Sequence, residues 1–161
     1  MTKRTRANRH SRVAVIVPAP VDAVWRVVVD VTRTGEWSHE CLQVQWTGTT
    51  DRAAPGARFR GRNRAGRLGW SRACEMLTVD PPSRLVWRTV PTWRYVDSTE
   101  WTIALTPTTD GTEVVQQYRL VKCPRWWEWI TTRLIPSHID RDAALAEDLR
   151  RLGAVAQRVT S

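Results

Sequence analysis

Apolar and polar positions follow three different rhythms along this chain. Residues 12–17 (RVAVIV) are mostly β-branched and are stopped by Pro18 and Pro20, which predicts a first strand over Arg12–Val17. From Pro20 the spacing becomes helical. Val21, Val24, Trp25, Val28 and Val29 follow a three-four repeat, Asp22 falls in the first turn, and Arg26 and Asp30 lie on other faces. A short second helix or turn is expected over Thr32–Ser38.

Between residues 42 and 120 the period shortens to two. Strands are predicted at Leu42–Thr47, Ala57–Asn63, Gly69–Val79, Arg84–Val90, Tyr95–Thr106 and Thr112–Leu120, separated by turn clusters such as APG at 54–56, DPPS at 80–83 and PTTDG at 107–111. Consecutive strands joined by short turns imply an antiparallel meander. Residues 124–159 return to a helical period in two pieces, broken at Pro136. With Ser137 as the expected N-cap, Ile139, Ala143, Leu145, Ala146, Leu149, Leu152 and Ala156 trace a long apolar stripe, leaving Arg141, Glu147, Asp148, Arg150 and Arg151 to the wetter face. The stripe must cover one face of the sheet. The expected organisation is a basic disordered tail over 1–11 followed by one α+β domain over 12–161, a curved antiparallel sheet of about seven strands wrapped around a long C-terminal helix.

Composition sharpens this picture in two places. Ten of the aromatic residues are Trp, against two Tyr and one Phe, so the aromatic surface is flat, bulky and equipped with indole donors that need partners when buried. Such a chain has either a bulky core or a ring-lined pocket. The formal net charge is +9, carried almost wholly by arginine, since Lys3 and Lys122 are the lysines. Charge of this kind governs encounter with anionic partners rather than fold. No stretch is long and apolar enough to span a bilayer or to form a signal-peptide core, so a cytoplasmic location is expected. Cys41, Cys74 and Cys123 are isolated and are expected to be reduced, partly buried thiols.

Candidate chemistry is sparse. Trp37-Ser38-His39-Glu40-Cys41 places a hydroxyl, an imidazole, a carboxylate and a thiol in succession, and His39 is the candidate proton shuttle. Consecutive residues of an extended segment point to opposite sides, so Ser38, His39 and Glu40 cannot converge as a local triad. His10, His39 and His138 are far apart in sequence and no metal-binding spacing occurs, so neither a metal nor a cofactor is expected. Arg58, Arg60 and Arg62 alternate with Phe59, Gly61 and Asn63. If Phe59 faces inward, the arginines form an outward basic stripe, either solvated or engaging an acidic partner. Base-stacking aromatics are not interleaved with them, so nucleic acid is not the expected partner, while peripheral contact with an anionic membrane stays open. Strand register turns Trp87 and Trp101 inward, and Trp93 and Tyr95, which flank the turn after Pro91, are expected at a cavity mouth. Trp126 and Trp129 share a helix face that Trp127 does not.

The segments PAPVDAVWRVVVDVTRTGEWSHEC (18–41), PGARFRGRNR (55–64), EMLTVDPPSRLVWRT (75–89), TEWTIALTPTTDGTEVVQQY (99–118) and RDAALAEDLRRLGAVA (141–156) together resemble the START-like, or SRPBCC, superfamily, which includes birch-pollen-allergen relatives and polyketide cyclase/dehydrase-like proteins. The resemblance implies a helix-grip fold with a cavity between sheet and C-terminal helix for lipids, polyketides or similar apolar ligands. Ligand contacts are then expected from Trp37, His39, Phe59, Trp87, Trp93, Tyr95 and Trp101. A cyclase/dehydratase-type enzyme is the alternative, with His39 or Glu100 for acid–base work and Arg60 for charge stabilisation. A regulatory protein that engages an acidic partner or membrane is the third reading. The superfamily's enzymes share no catalytic signature that could be carried onto these residues.

Overall fold

The β-branched run near the N-terminus grows into a strand longer than its apolar part. In the computed structural model, which describes residues 6–160, β1 (His10–Val17) pairs antiparallel with β7 (Gly111–Lys122) from His10 opposite Arg119 to Val17 opposite Thr112. Main-chain pairing needs no apolar side chain, so β1 begins two residues ahead of the predicted Arg12. Asn8 N donates to Ile139 O at 3.0 Å, Leu120 N donates to Arg9 O at 2.7 Å, and His10 and Ser11 are strand residues. Residues 1–5 of the expected basic tail lie outside the described residues.

After β1 come α1 (Val21–Val29), a 3₁₀-helix (Val31–Glu36), β2 (Cys41–Thr47), β3 (Arg58–Ala65), β4 (Leu68–Asp80), β5 (Arg84–Thr89) and β6 (Ser98–Thr108). Together with β7 the strands form one antiparallel sheet in the order β1-β7-β6-β5-β4-β3-β2. The predicted strands are all present, with small shifts at their ends. The largest is in β6, which begins at Ser98 rather than Tyr95 because residues 92–95 close a turn, with Thr92 N donating to Tyr95 O at 2.7 Å and Tyr95 N to Thr92 Oγ1 at 3.0 Å. The β6–β7 hairpin turns at Gly111 (φ +137°), where a Cβ would lie 2.1 Å from Val17 O.

The chain ends in α2 (Arg125–Leu134), a 3₁₀ turn (Pro136–His138) and α3 (Asp142–Thr160), with the break at Pro136 that the sequence predicts. The cap of α3 is not Ser137: Asp140 Oδ1 accepts from Asp142 N at 3.1 Å, and Ile139 lies outside the helix. Leu145, Leu149, Leu152 and Ala156 are buried as their spacing implies, whereas Ala143 is exposed. Asp148, read from the sequence as a wet-face residue, is 2% exposed.

The C-terminal half of α3 packs solidly on β1 and α1. Leu149, Leu152 and Val155 meet Val17, Val24, Val27 and Val114, all fully buried, and each such side chain contributes about 1.5–3 kcal/mol. Gly153 lets the helix come close to β1, since a Cβ there would stand 2.7 Å from Val17 Cβ. Arg141, just before α3, and Leu145 and Asp148 in its first turns border a cavity instead. Among the described residues no helix is long and apolar enough to cross a membrane.

Candidate functional site

Alternation along the strands supplies most of the cavity wall. Phe59 and Gly61 of β3, Arg72 and Cys74 of β4, Leu85 and Trp87 of β5, Thr99, Trp101 and Ile103 of β6, and Gln116 and Tyr118 of β7 all face one space of about 400 Å³. Trp87 lies directly opposite Trp101, and Trp101 opposite Tyr118, so three neighbouring strands carry a ladder of rings. Trp87 stacks on Trp101 at 6.3 Å with planes 8° apart, and Trp101 meets Tyr118 at 5.2 Å.

The opposite wall is α2, held to the sheet by side chains. Trp127 Nε1 donates to Asp97 Oδ1 at 2.8 Å, and both oxygens of the same carboxylate accept from Arg72 Nη1, at 3.1 and 3.0 Å. Tyr95 packs edge-on against Trp127 with Arg72 over its ring at 5.2 Å, and Arg9 pairs with Glu128 at 3.2 Å. The other face of α2 carries Trp126 and Trp129, each 57% exposed, with the Arg133 guanidinium 4.1 Å above the Trp129 ring.

Two histidine–carboxylate pairs close the end of the cavity nearest the start of α3. Asp148 accepts from His39 N at 2.8 Å through Oδ1 and bonds His39 Nδ1 at 2.7 Å through Oδ2. That hydrogen bond holds the His39 imidazole above the ordinary histidine pKa, leaving it protonated to higher pH. Glu40 turns to the other partner: its Oε1 bonds His138 Nε2 and its Oε2 lies 3.7 Å from Arg141 Nη1. Burial pushes His138 below the ordinary value, against the pull of Glu40. Burial alone would raise the Glu40 carboxyl, but the bond from His138 and the charge of Arg141 outweigh it and hold Glu40 low. The two imidazoles are thus driven apart in acidity within one site, the arrangement that separates a proton donor from a neutral partner.

The sequence-predicted residues divide cleanly. Trp37, His39, Phe59, Trp87, Tyr95 and Trp101 line the cavity. Trp93 does not: it is 90% exposed at the tip of the turn that folds Tyr95 back inward. Arg58, Arg60 and Arg62 are exposed while Phe59 and Gly61 are buried, so the stripe faces outward and Arg60 cannot stabilise charge in the cavity. Glu100 is likewise outside, paired with Arg119 at 3.4 Å. Trp25 belongs to the core.

The residues that sequence reasoning missed are Asp148, His138, Glu40 as partner to His138, Arg141, and the Arg72–Asp97–Trp127 cluster. A signal for Asp148 was present, because it stands three residues after Leu145 and four before Leu152, on the inner face. Arg72 likewise alternates with Cys74 and Met76. Among the described residues no three His, Cys, Asp or Glu side chains gather as a metal site. Cys41, Cys74 and Cys123 are free thiols, and burial pushes Cys41 up to about 11 and Cys74 up to about 12.

Comparison with known proteins agrees with this architecture. The sheet and helices superpose on the protein TTHA0849 of Thermus thermophilus with a TM-score of 0.72 at 17% identity, covering 94% of this chain and 99% of that one. They superpose on the ZhuI aromatase/cyclase of a Streptomyces species with a TM-score of 0.71 at 17% identity, over 95% and 96% of the two chains. The di-domain aromatase/cyclase BexL matches with a TM-score of 0.67 at 18% identity, over 96% of this chain and 48% of that one. At these identities the likeness shows the shared helix-grip fold. No curated protein sequence matches the chain. The family model described as polyketide cyclase/dehydrase and lipid transport matches residues 9–157, and with that span, nearly the whole of the fold described above, the chain belongs to this family.

Proposed function

We propose that the protein binds an apolar, ring-containing small molecule of polyketide or lipid-like character between the sheet, α2 and the start of α3. The observation that carries this reading is the cavity itself. About 400 Å³ lies within the range of small-molecule sites, and its wall is a ladder of aromatic rings with a few fixed polar groups at its ends. Family membership and the named aromatase/cyclase neighbours support the ligand class. Tryptophan fluorescence of the purified protein is expected to quench saturably on titration with fused-ring aromatics or fatty acids, and native mass spectrometry to detect the complex. Absence of both signals refutes the binding reading.

The two histidine–carboxylate pairs favour a second reading, acid–base chemistry on that ligand of the cyclase/dehydratase type. The His39 Nδ1 proton is held by Asp148, which leaves Nε2 of the imidazolium as the proton donor to a departing hydroxyl or an enolising carbonyl. With an aromatase/cyclase substrate, His39→Gln is then expected to lower kcat and to abolish the alkaline limb of the pH profile. A variant that retains both rate and profile removes His39 from catalysis and leaves the binding reading standing.

A further inference from the structure

Large apolar side chains left in solvent gather on and beside α2. Trp126, Trp129 and Leu134 of the helix and Val121 at the end of β7 are each more than half exposed. The 92–95 turn that carries the exposed Trp93 borders the same helix, because Tyr95 packs on Trp127 and Trp127 on Trp126. At 3.6 residues per turn, Arg125, Trp129, Arg133 and Trp126 fall within one arc of about 100°. All four are exposed. Glu128, Thr132 and Trp127 turn toward the body of the protein: the first two are buried, and Trp127 Nε1 donates to Asp97. A single exposed tryptophan is ordinary, whereas a helix face of tryptophan and arginine marks a contact surface.

Charge specifies the partner. Lys122, Arg125 and Arg133 are exposed and have no carboxylate partner among the described residues; Arg133 instead lies 4.1 Å over the Trp129 ring. Glu128, the acidic residue of α2, is turned inward to Arg9. Arg125 even stands in the first turn, where the helix dipole disfavours a cation, so local helix stability does not account for it. A second copy of this face would set like charges against each other. The complementary surface is anionic and takes up apolar rings. An indole has an apolar body and one polar N–H, which suits the headgroup layer of a bilayer, and arginine suits its phosphates. Trp126, Trp129 and Arg133 protrude without lining the cavity, and so match a yielding lipid surface better than a fitted protein pocket. We infer that α2 docks on an anionic phospholipid surface, with Trp126 and Trp129 entering the headgroup layer and Lys122, Arg125 and Arg133 meeting its phosphates. This inference stands on the exterior of α2 and is independent of what the cavity binds.

The test is co-sedimentation of the full-length protein with vesicles of phosphatidylcholine alone and of equimolar phosphatidylcholine and phosphatidylglycerol. It is run at about 0.1 M and about 1 M salt, where the Debye length is ~10 Å and ~3 Å. The wild type is expected to pellet with the mixed vesicles at low salt, and far less with phosphatidylcholine or at high salt. Each cation at an anionic surface contributes about fivefold to partition, so Arg125→Gln/Arg133→Gln is expected to lose about twentyfold. Trp126→Ala/Trp129→Ala is expected to lose at least about tenfold through its apolar area. Arg60→Gln/Arg62→Gln removes the same charge from the outer face of the sheet, and is expected to stay within about twofold of the wild type. Thermal melts establish that the variants are folded; the arginines of α2 hold no ion pair, so their variant tests the face even where the tryptophan variant is unstable. Failure of the wild type to bind mixed vesicles, equal losses in the two arginine variants, or binding that every variant keeps overturns the inference. No vesicle binding together with retention on immobilised polyglutamate overturns it in favour of an acidic protein partner. A dimer in gel filtration that Trp126→Ala/Trp129→Ala dissociates overturns it in favour of a second copy.

Discussion

Replacing Asp148 by alanine tests whether the buried carboxylate organises the cavity end or merely occupies it. The substitution removes two short hydrogen bonds to His39, one to its backbone N at 2.8 Å and one to its ring at 2.7 Å. Bonds to a charged group are worth about 1.5–3 kcal/mol each, and the His39 N–H is left unsatisfied. Two effects reduce the sum. The His39 ring is 34% exposed, so solvent screens its bond, and the cost of burying a carboxylate is relieved. A net loss of about 2–3 kcal/mol is expected near pH 6, or roughly 5–10 °C in Tm for a chain of this length. The pH dependence has a definite sign. His39 has a raised pKa in the folded state, so the stability from its pair is fully present below about 6.5 and is lost as pH rises through the raised value. The loss on Asp148→Ala is therefore larger near pH 6 than near pH 9, where the bond to His39 N, the Arg151 contact at 3.7 Å and a weaker bond from the neutral ring account for what remains. Urea unfolding at both pH values and an NMR titration of His39 check this. An equal loss at both, or an unchanged His39 titration in the variant, would refute the reasoning.

Gly153→Ala sets helix propensity against packing. Alanine gains about 1 kcal/mol in a helix interior, but its Cβ would lie 2.7 Å from Val17 Cβ and 2.8 Å from Cγ1, and overpacking of this kind costs about 1–3 kcal/mol. Net destabilisation is expected by urea melt, and it should shrink without vanishing in a Val17→Ala background, which removes the Cγ1 contact and keeps the Cβ contact. The thiols give an independent readout of burial. With Cys74 pushed up to about 12 and Cys41 up to about 11, iodoacetamide near pH 8 is expected to label both far more slowly in the native protein than in urea; rapid native labelling of Cys74 would contradict its placement in the wall.

Much of the architecture is legible residue by residue. The period of two between 42 and 120 marks the strands, Pro136 separates α2 from α3, and the alternation Arg58, Phe59, Arg60, Gly61, Arg62 already separates outside from inside. Trp87 and Trp101 face the cavity because strand register carries information about direction. Trp93 shows where that information stops. Outside a strand no period assigns a side, and the hydrogen bonds of the 92–95 turn put Tyr95 in the cavity and Trp93 in solvent.

The sequence by itself determined which segments become strands and helices, because those choices rest on local spacing, turn residues and side-chain shape. It also marked most of the aromatic wall, since an inward strand position is a local property. Only the tertiary structure decided the chemistry of the cavity. His39 and Asp148 are 109 residues apart, and Glu40 and His138 are 98 apart. Neither pair exists until the Pro136–His138 turn and the first turns of α3 come against the segment that follows Glu36. A polar side chain at the edge of an apolar stripe reads as solvent-facing until the element covering it is known, which is why Asp148 reads as a wet-face residue and is instead buried.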